Sequence, residues 1–274
     1  MQPGIFTKTF ERPTLEESLD ALNDNGLKAC QFNLESVGLP TLPDEIEADT
    51  CMRIRQAMAS RQITMSALSG TFNMIHPDPV ERSEGMRRLG VLASACELLG
   101  TSMITLCTGT RDPGYMWRKH PENDSPEAWA DMLTSISEAV KFAEEFGVTL
   151  VFEPELSNVA NSAAKARRLL EEIRSPHLKV VIDGANLFHA DDLTRMGEIL
   201  DEAFELIGPD IALAHAKDLN EDGFCAAGTG MLDYGHYLSL LKSAGYDGPV
   251  ILHSLEESQV AECLNHLKQK LSSL

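Results

Sequence analysis

Short apolar or β-branched runs recur along the chain at Gly4–Phe6, Ala29–Asn33, Ile63–Leu68, Met103–Cys107, Thr149–Phe152, Lys179–Ile182, Ile211–Ala214 and Val250–Leu252. Longer amphipathic stretches separate them. Sharing 274 residues among eight runs leaves about 34 per unit, enough for a strand and a returning helix. Helix signals fall in the gaps. Thr14-Leu15-Glu16-Glu17 reads as a capping box, Leu15, Leu19 and Leu22 keep helical spacing, and Gly26 is placed to end that helix. Pro79–Leu99 reads as a long helix closed by Gly100, and Ser125-Pro126-Glu127 opens another that runs to Gly147. Ala163–Ile173, Leu193–Ile207, Tyr237–Ala244 and Leu255–Leu274 complete the helices that the pattern marks.

Strands alternating with helices leave a doubly wound sheet or a (β/α)8 barrel. No GxGxxG or GxxxxGK[ST] follows any strand, which argues against a nucleotide-binding sheet. There is no Pro-, Gly- or Ser-rich linker, so the expectation is a single (β/α)8 barrel over residues 1–274. The formal net charge of −19 repels phosphate backbones, so nucleic acid is not an expected partner. Apolar runs fall far short of a membrane span of ~20 residues. Met1–Phe10 holds one Lys and no long apolar stretch, so no signal peptide and a cytoplasmic location are expected. Six cysteines stand singly, with no CxxC pair, and read as reduced, packed thiols. The eleven methionines read as core filler.

Active sites of such barrels lie at the C-terminal strand ends. Three consecutive runs end in Glu153, Asp183 and His215. Two carboxylates and an imidazole at one rim make a mixed O/N site for a divalent cation. Lys217 follows His215 by two residues and shares its face; it can hold an anionic substrate group or neutralise Glu153 and Asp183. Glu35 ends the second run and reads as a substrate contact or a buried salt bridge. His76, after the third run, can meet a substrate hydroxyl or serve as a plain loop histidine. The long loop after the fourth run carries Arg111, Trp117, Arg118, Lys119 and His120 in a chain short of cations. There Trp117 can stack on a sugar face and Arg111 can pair with an anionic group, or both can serve packing and solvation, with Asp112 cancelling part of the local charge. Gly228 and Gly230 read as loop geometry, and His177, His189, His236 and His266 receive no chemistry.

The chain resembles the xylose-isomerase-like barrels, the sugar isomerase/epimerase superfamily that also includes inosose dehydratase and endonuclease IV. Its carriers are Leu150-Val151-Phe152-Glu153, Val180-Val181-Ile182-Asp183, His215-Ala216-Lys217-Asp218, the Ala227–Tyr234 loop and the Gly245-Tyr246-Asp247-Gly248-Pro249 turn. The resemblance implies that Glu153, Asp183 and His215 ligate Mn, Mg, Co or Zn, and that the chain is a dimer or tetramer. Two positions depart from the family pattern. Asn186 stands where members often carry the His of Asp-x-x-His, as a secondary ligand or substrate contact. His253 stands where epimerases of the family place a second metal-binding Glu, with Glu256 three residues later.

The expected function is therefore a divalent-metal-dependent isomerase or epimerase of a small sugar, sugar phosphate or related polyhydroxy compound, acting through an enediolate. Glu153 would be both ligand and proton acceptor, and His253 the group on the opposite face or a fourth ligand. The alternatives are a metal-dependent dehydratase on the same residues, or a barrel that binds a sugar without turning it over.

Overall fold

The computed structural model describes the backbone of residues 1–274 and the side chains of all but residues 190 and 191. Eight parallel strands close into a barrel: β1 (Gln2–Phe6), β2 (Ala29–Phe32), β3 (Thr64–Ser69), β4 (Met103–Cys107), β5 (Thr149–Glu153), β6 (Leu178–Asp183), β7 (Ile211–Ala216) and β10 (Pro249–Leu252). The barrel closes through β1, which pairs with both β2 and β10. Two further short strands, β8 (Asp218–Asn220) and β9 (Gly223–Cys225), form a hairpin just beyond β7. The helices are α1 (Leu15–Asp24), α2 (Ala48–Ser60), α3 (Pro79–Leu99), α4 (Pro126–Phe146), α5 (Ala163–Ile173), α6 (Met196–Ile207), α7 (Tyr234–Ser243) and α8 (Val260–Ser272). None among the described residues is long and apolar enough to cross a membrane.

Cap chemistry sets several boundaries. Thr14 accepts from the Glu17 backbone N–H, and Ser125 accepts from that of Ala128. Gly100 and Gly147 close α3 and α4 in the left-handed conformation. The sequence pattern does not mark α2, because its first residue follows Glu47, whose side chain makes no cap bond. A 3-10 turn over Ala190–Arg195 precedes α6, so that helix begins later than the apolar spacing implies.

Strand alternation divides the core in two. Residues facing out of the barrel, among them Leu150, Phe152, Val180, Ile182 and Leu252, pack beneath the helices. Inward-facing Ala67, Val151, Val181, Leu213 and Ile251 form a separate apolar plug. Gly4 makes room for it: a Cβ there would lie 2.5 Å from Ile251 Cδ1 and 3.0 Å from the Ala29 carbonyl oxygen. Two residues further along the same strands, the period-2 rule points Ser69, Glu153, Asp183, His215 and His253 inward above the plug. All six cysteines are free thiols; five are buried and Cys225 is partly exposed.

Candidate metal and substrate site

The plug is the floor of a cavity of about 680 Å³ that opens at the C-terminal strand ends. Parallel register brings its polar wall together: Asp183 lies beside His215 across β6 and β7, and Glu153 closes β5 opposite Cys107. His253 follows β10, where its backbone N–H donates to the Ala216 carbonyl and extends the pairing by one residue. The chain then turns sharply at Ser254, at φ 56°.

Glu153, Asp183, His215 and His253 each offer one donor atom, all within 4.8 Å of one another. Asp183 Oδ1 accepts from the Ala185 N–H at 3.0 Å, which fixes the carboxylate plane. Its Oδ2 meets His253 Nε2 at 2.8 Å and lies 3.5 Å from Lys217 Nζ. Glu153 Oε1 accepts from Asn186 Nδ2 at 2.7 Å and lies 3.6 Å from His215 Nδ1. Asn186 in turn accepts from Lys217 Nζ at 2.6 Å, so one amide links the lysine to the glutamate. Phe6 packs edge-on to the His215 ring and stacks on His253 at 5.2 Å between centroids.

Gln31, buried on β2, sets the state of His215. Its amide nitrogen donates to Ser69 Oγ at 3.0 Å and Thr105 Oγ1 at 3.1 Å. Its Oε1 is therefore left to accept, and meets His215 Nε2 at 2.8 Å. An acceptor at that nitrogen places the imidazole proton on Nε2 and leaves a lone pair on Nδ1. Nδ1 is buried and has no hydrogen-bond partner. Buried polar atoms without partners are rare, and this one faces a carboxylate oxygen across a gap that suits a cation. The donor set of two carboxylates and two imidazoles fits a divalent ion such as zinc, manganese or cobalt.

Charge compensation is local. Burial alone would push the Asp183 carboxyl up, but Lys217 and the His253 hydrogen bond outweigh it and hold the group well below the usual carboxylate range. Burial likewise opposes ionisation of Glu153, while the positive charge of Lys217 favours its ionised form. Burial lowers the pKa of His253 despite its bond to Asp183, which favours the neutral ring. A neutral His253 with its proton on Nε2 accepts from Ser254 Oγ at Nδ1, 3.1 Å away.

Not every residue named from the sequence faces this cavity. Glu153, His215, His253, Lys217 and Trp117 line it, Asp183 is wholly buried beside it, and Asn186 stands behind Glu153. Glu35 lines a separate hollow of about 800 Å³ outside the mouth, half-exposed, accepting from Thr41 Oγ1 and 3.8 Å from Lys8. Of the two readings of Glu35, substrate contact or buried salt bridge, the second fails as stated: the ion pair with Lys8 is exposed and loose rather than buried. His76 bonds the Pro113 carbonyl and the Asp78 N–H, which pins the loop after β4. Arg111 turns away from the mouth, bonding the Ile75 carbonyl and pairing with Asp131 on α4 at 2.8 Å. Asp112 does pair with a loop cation, Arg118, at 3.3 Å. Glu256 caps the short turn before α8 and is exposed.

Sequence reading assigned no role to Gln31, Phe6, Glu155 or Phe224, all of which line the cavity. Gln31 was legible as the inward-phase polar residue of an otherwise apolar strand. Glu155 is buried and accepts from the Ser157 N–H and hydroxyl; burial raises its pKa. Phe224 sits on the hairpin with its ring 3.8 Å from Lys217 Nζ. The hairpin itself carried a signal, Asp222-Gly223, and Gly223 takes φ 125° there. Asp218 holds the following loop by accepting backbone N–H groups of Gly228, Gly230 and Leu232.

Among known proteins, the chain is similar to a ketose 3-epimerase of Arthrobacter globiformis, 26% identical over 272 residues that span 96% of this chain and 85% of that one. Its fold matches an IOLI protein solved with a bound zinc atom, at TM-score 0.74 and 18% identity over 100% of this chain and 99% of that one. It also matches the probable 3-DHS dehydratase AsbF from Bacillus anthracis, at TM-score 0.75 and 13% identity over 98% and 99% of the two chains. At such identities the two structures speak for the fold alone. The family described as xylose isomerase-like TIM barrel matches residues 19–270, and the chain belongs to that family.

Proposed function

We propose that the protein is an enzyme, a divalent-metal-dependent isomerase or epimerase of a small sugar or related polyhydroxy carbonyl compound. The observation that carries this reading is the orphaned Nδ1 of His215, held in its tautomer by Gln31 and facing Glu153, Asp183 and His253. The similarity to a ketose 3-epimerase supports the substrate class. Glu153, Asp183 and His215 would hold the ion, which supplies Lewis-acid pull on neighbouring substrate oxygens. Glu153 takes the proton from the carbon between them, leaving an enediolate, and Asn186 keeps its carboxylate aimed. His253, three strands around the ring from Glu153, would return a proton from the opposite face of the substrate carbon. Lys217 balances the carboxylates and anchors substrate oxygen.

The test is incubation of the metal-loaded protein with a panel of ketoses in deuterium oxide. The reading requires a stereoisomer or aldose/ketose partner with solvent deuterium at the exchanged carbon. A product lighter by one water would assign the same residues to a dehydratase. Binding without exchange or product would make the chain a sugar-binding barrel.

A further inference from the structure

A second hollow adjoins the mouth. About 410 Å³ in volume, it lies between the loop after β4, the turn after β6 and the β8–β9 hairpin. Its walls are mainly apolar, with Trp117, Phe188, Leu219 and Phe224 prominent, whereas the mouth is lined by carboxylates, imidazoles and a lysine. Trp117, Glu155 and Phe224 line both hollows, so the groove lies directly beside the mouth. Trp117 and Phe224 are 37% and 49% exposed, which is costly apolar surface to leave in water at the lip of a polar site. Arg118 and Lys119 edge the groove in a chain of net charge −19, where they favour an electron-rich or anionic ring.

A free monosaccharide in the mouth reaches Trp117 and Phe224 but leaves the rest of the groove uncovered. We propose that the substrate is a sugar carrying an aromatic substituent, and that the groove seats the ring while the sugar occupies the mouth. The proposal rests on the sugar-processing reading of the mouth and names its substrate class. Trp117 and Phe224 are the aromatic side chains common to both hollows, and ring–ring contacts add selectivity beyond burial alone.

Trp117 reports the groove directly. In a Trp129→Phe background it is the sole tryptophan, because the chain has two. Titration with 4-nitrophenol should quench its emission saturably, and Phe224→Ala should weaken the constant by about three- to tenfold. Calorimetry on the unmodified chain gives the same constants without the Trp129 change. In a panel of 4-nitrophenyl glucoside, galactoside and xyloside, at least one should bind more tightly than 4-nitrophenol, since ring and sugar then contribute together.

Linear, non-saturating quenching overturns the proposal, and so does saturation by 4-nitrophenol with no glycoside binding more tightly. A concentration-dependent dimer in which Trp117 is already shielded, seen by light scattering with a blue-shifted emission, assigns the groove to a second copy and also overturns it. If a glycoside binds more tightly while the protein neither binds metal nor exchanges substrate protons, the aromatic groove stands and the metal-dependent reaction falls.

Discussion

Replacing Gln31 by Leu should damage the proposed metal site, which Gln31 never touches. The substitution removes the acceptor for His215 Nε2–H and the amide that serves Ser69 and Thr105. The two hydroxyls rotate to other partners, but the imidazole has no second acceptor on that side. It is then free to move its proton to Nδ1, the atom the site needs unprotonated. Removing an outer partner of a ligating histidine typically costs 10–100-fold in metal affinity, or about 1.4–2.7 kcal/mol. Leaving one buried N–H unpaired costs the fold about 1–3 kcal/mol more. Chelator-stripped protein titrated with Zn2+ or Co2+ against a competing chelator measures the first quantity, and thermal unfolding of the metal-free protein measures the second. Gln31→Glu is the control: it keeps an acceptor at His215 and should hold metal affinity to within a few-fold. Wild-type affinity in Gln31→Leu would refute the reasoning, as would equal weakening in both variants, since packing alone would then account for the loss.

Gly4→Ala should lower stability by about 1–3 kcal/mol in denaturant unfolding, because the new Cβ meets Ile251 and the Ala29 carbonyl inside the barrel. Burial pushes the thiols of Cys30, Cys96 and Cys107 up to about 12, so a thiol reagent at neutral pH should label Cys225 first and the rest only on unfolding. His253→Gln should keep metal binding and lower turnover by about 10²–10⁴-fold; metal affinity and turnover falling together would make His253 a fourth ligand instead, and no change in either would make it a packing residue.

Much of the barrel was legible because its signals are local. Caps at Thr14 and Ser125 and glycines at 100 and 147 act within one turn of chain, and the structure reproduces them. Only the Thr14 half of the first capping box forms among the described residues. Helix α2 lacked such a signal, and the β8–β9 hairpin, marked by Asp222-Gly223 alone, has strands of only three residues each. The convergence of three strand-end side chains was legible for a different reason. Glu153, Asp183 and His215 share the phase of Val151, Val181 and Leu213, which fill the barrel floor, so period two alone turns them inward. That rule stops at the last strand residue. Glu35, His76, Arg111 and Glu256 lie beyond it, where the turn of each loop decides direction, and none of the four lines the cavity. The phase of Gln31 marks it as inward-facing, but its role lies in contacts 38, 74 and 184 residues away, which the strand pattern does not reveal.

Metal stoichiometry decides whether this strand-end cluster holds a divalent ion. Elemental analysis of the purified chain, followed by titration of chelator-stripped protein with Mn2+, Co2+ and Zn2+, should find one tightly held ion per chain. Asp183→Ala removes a charge and a lone-pair donor, and should lower occupancy sharply while circular dichroism reports an intact barrel. A chain that copurifies with no metal and binds none on titration, or an Asp183→Ala protein with undiminished occupancy, would contradict the account.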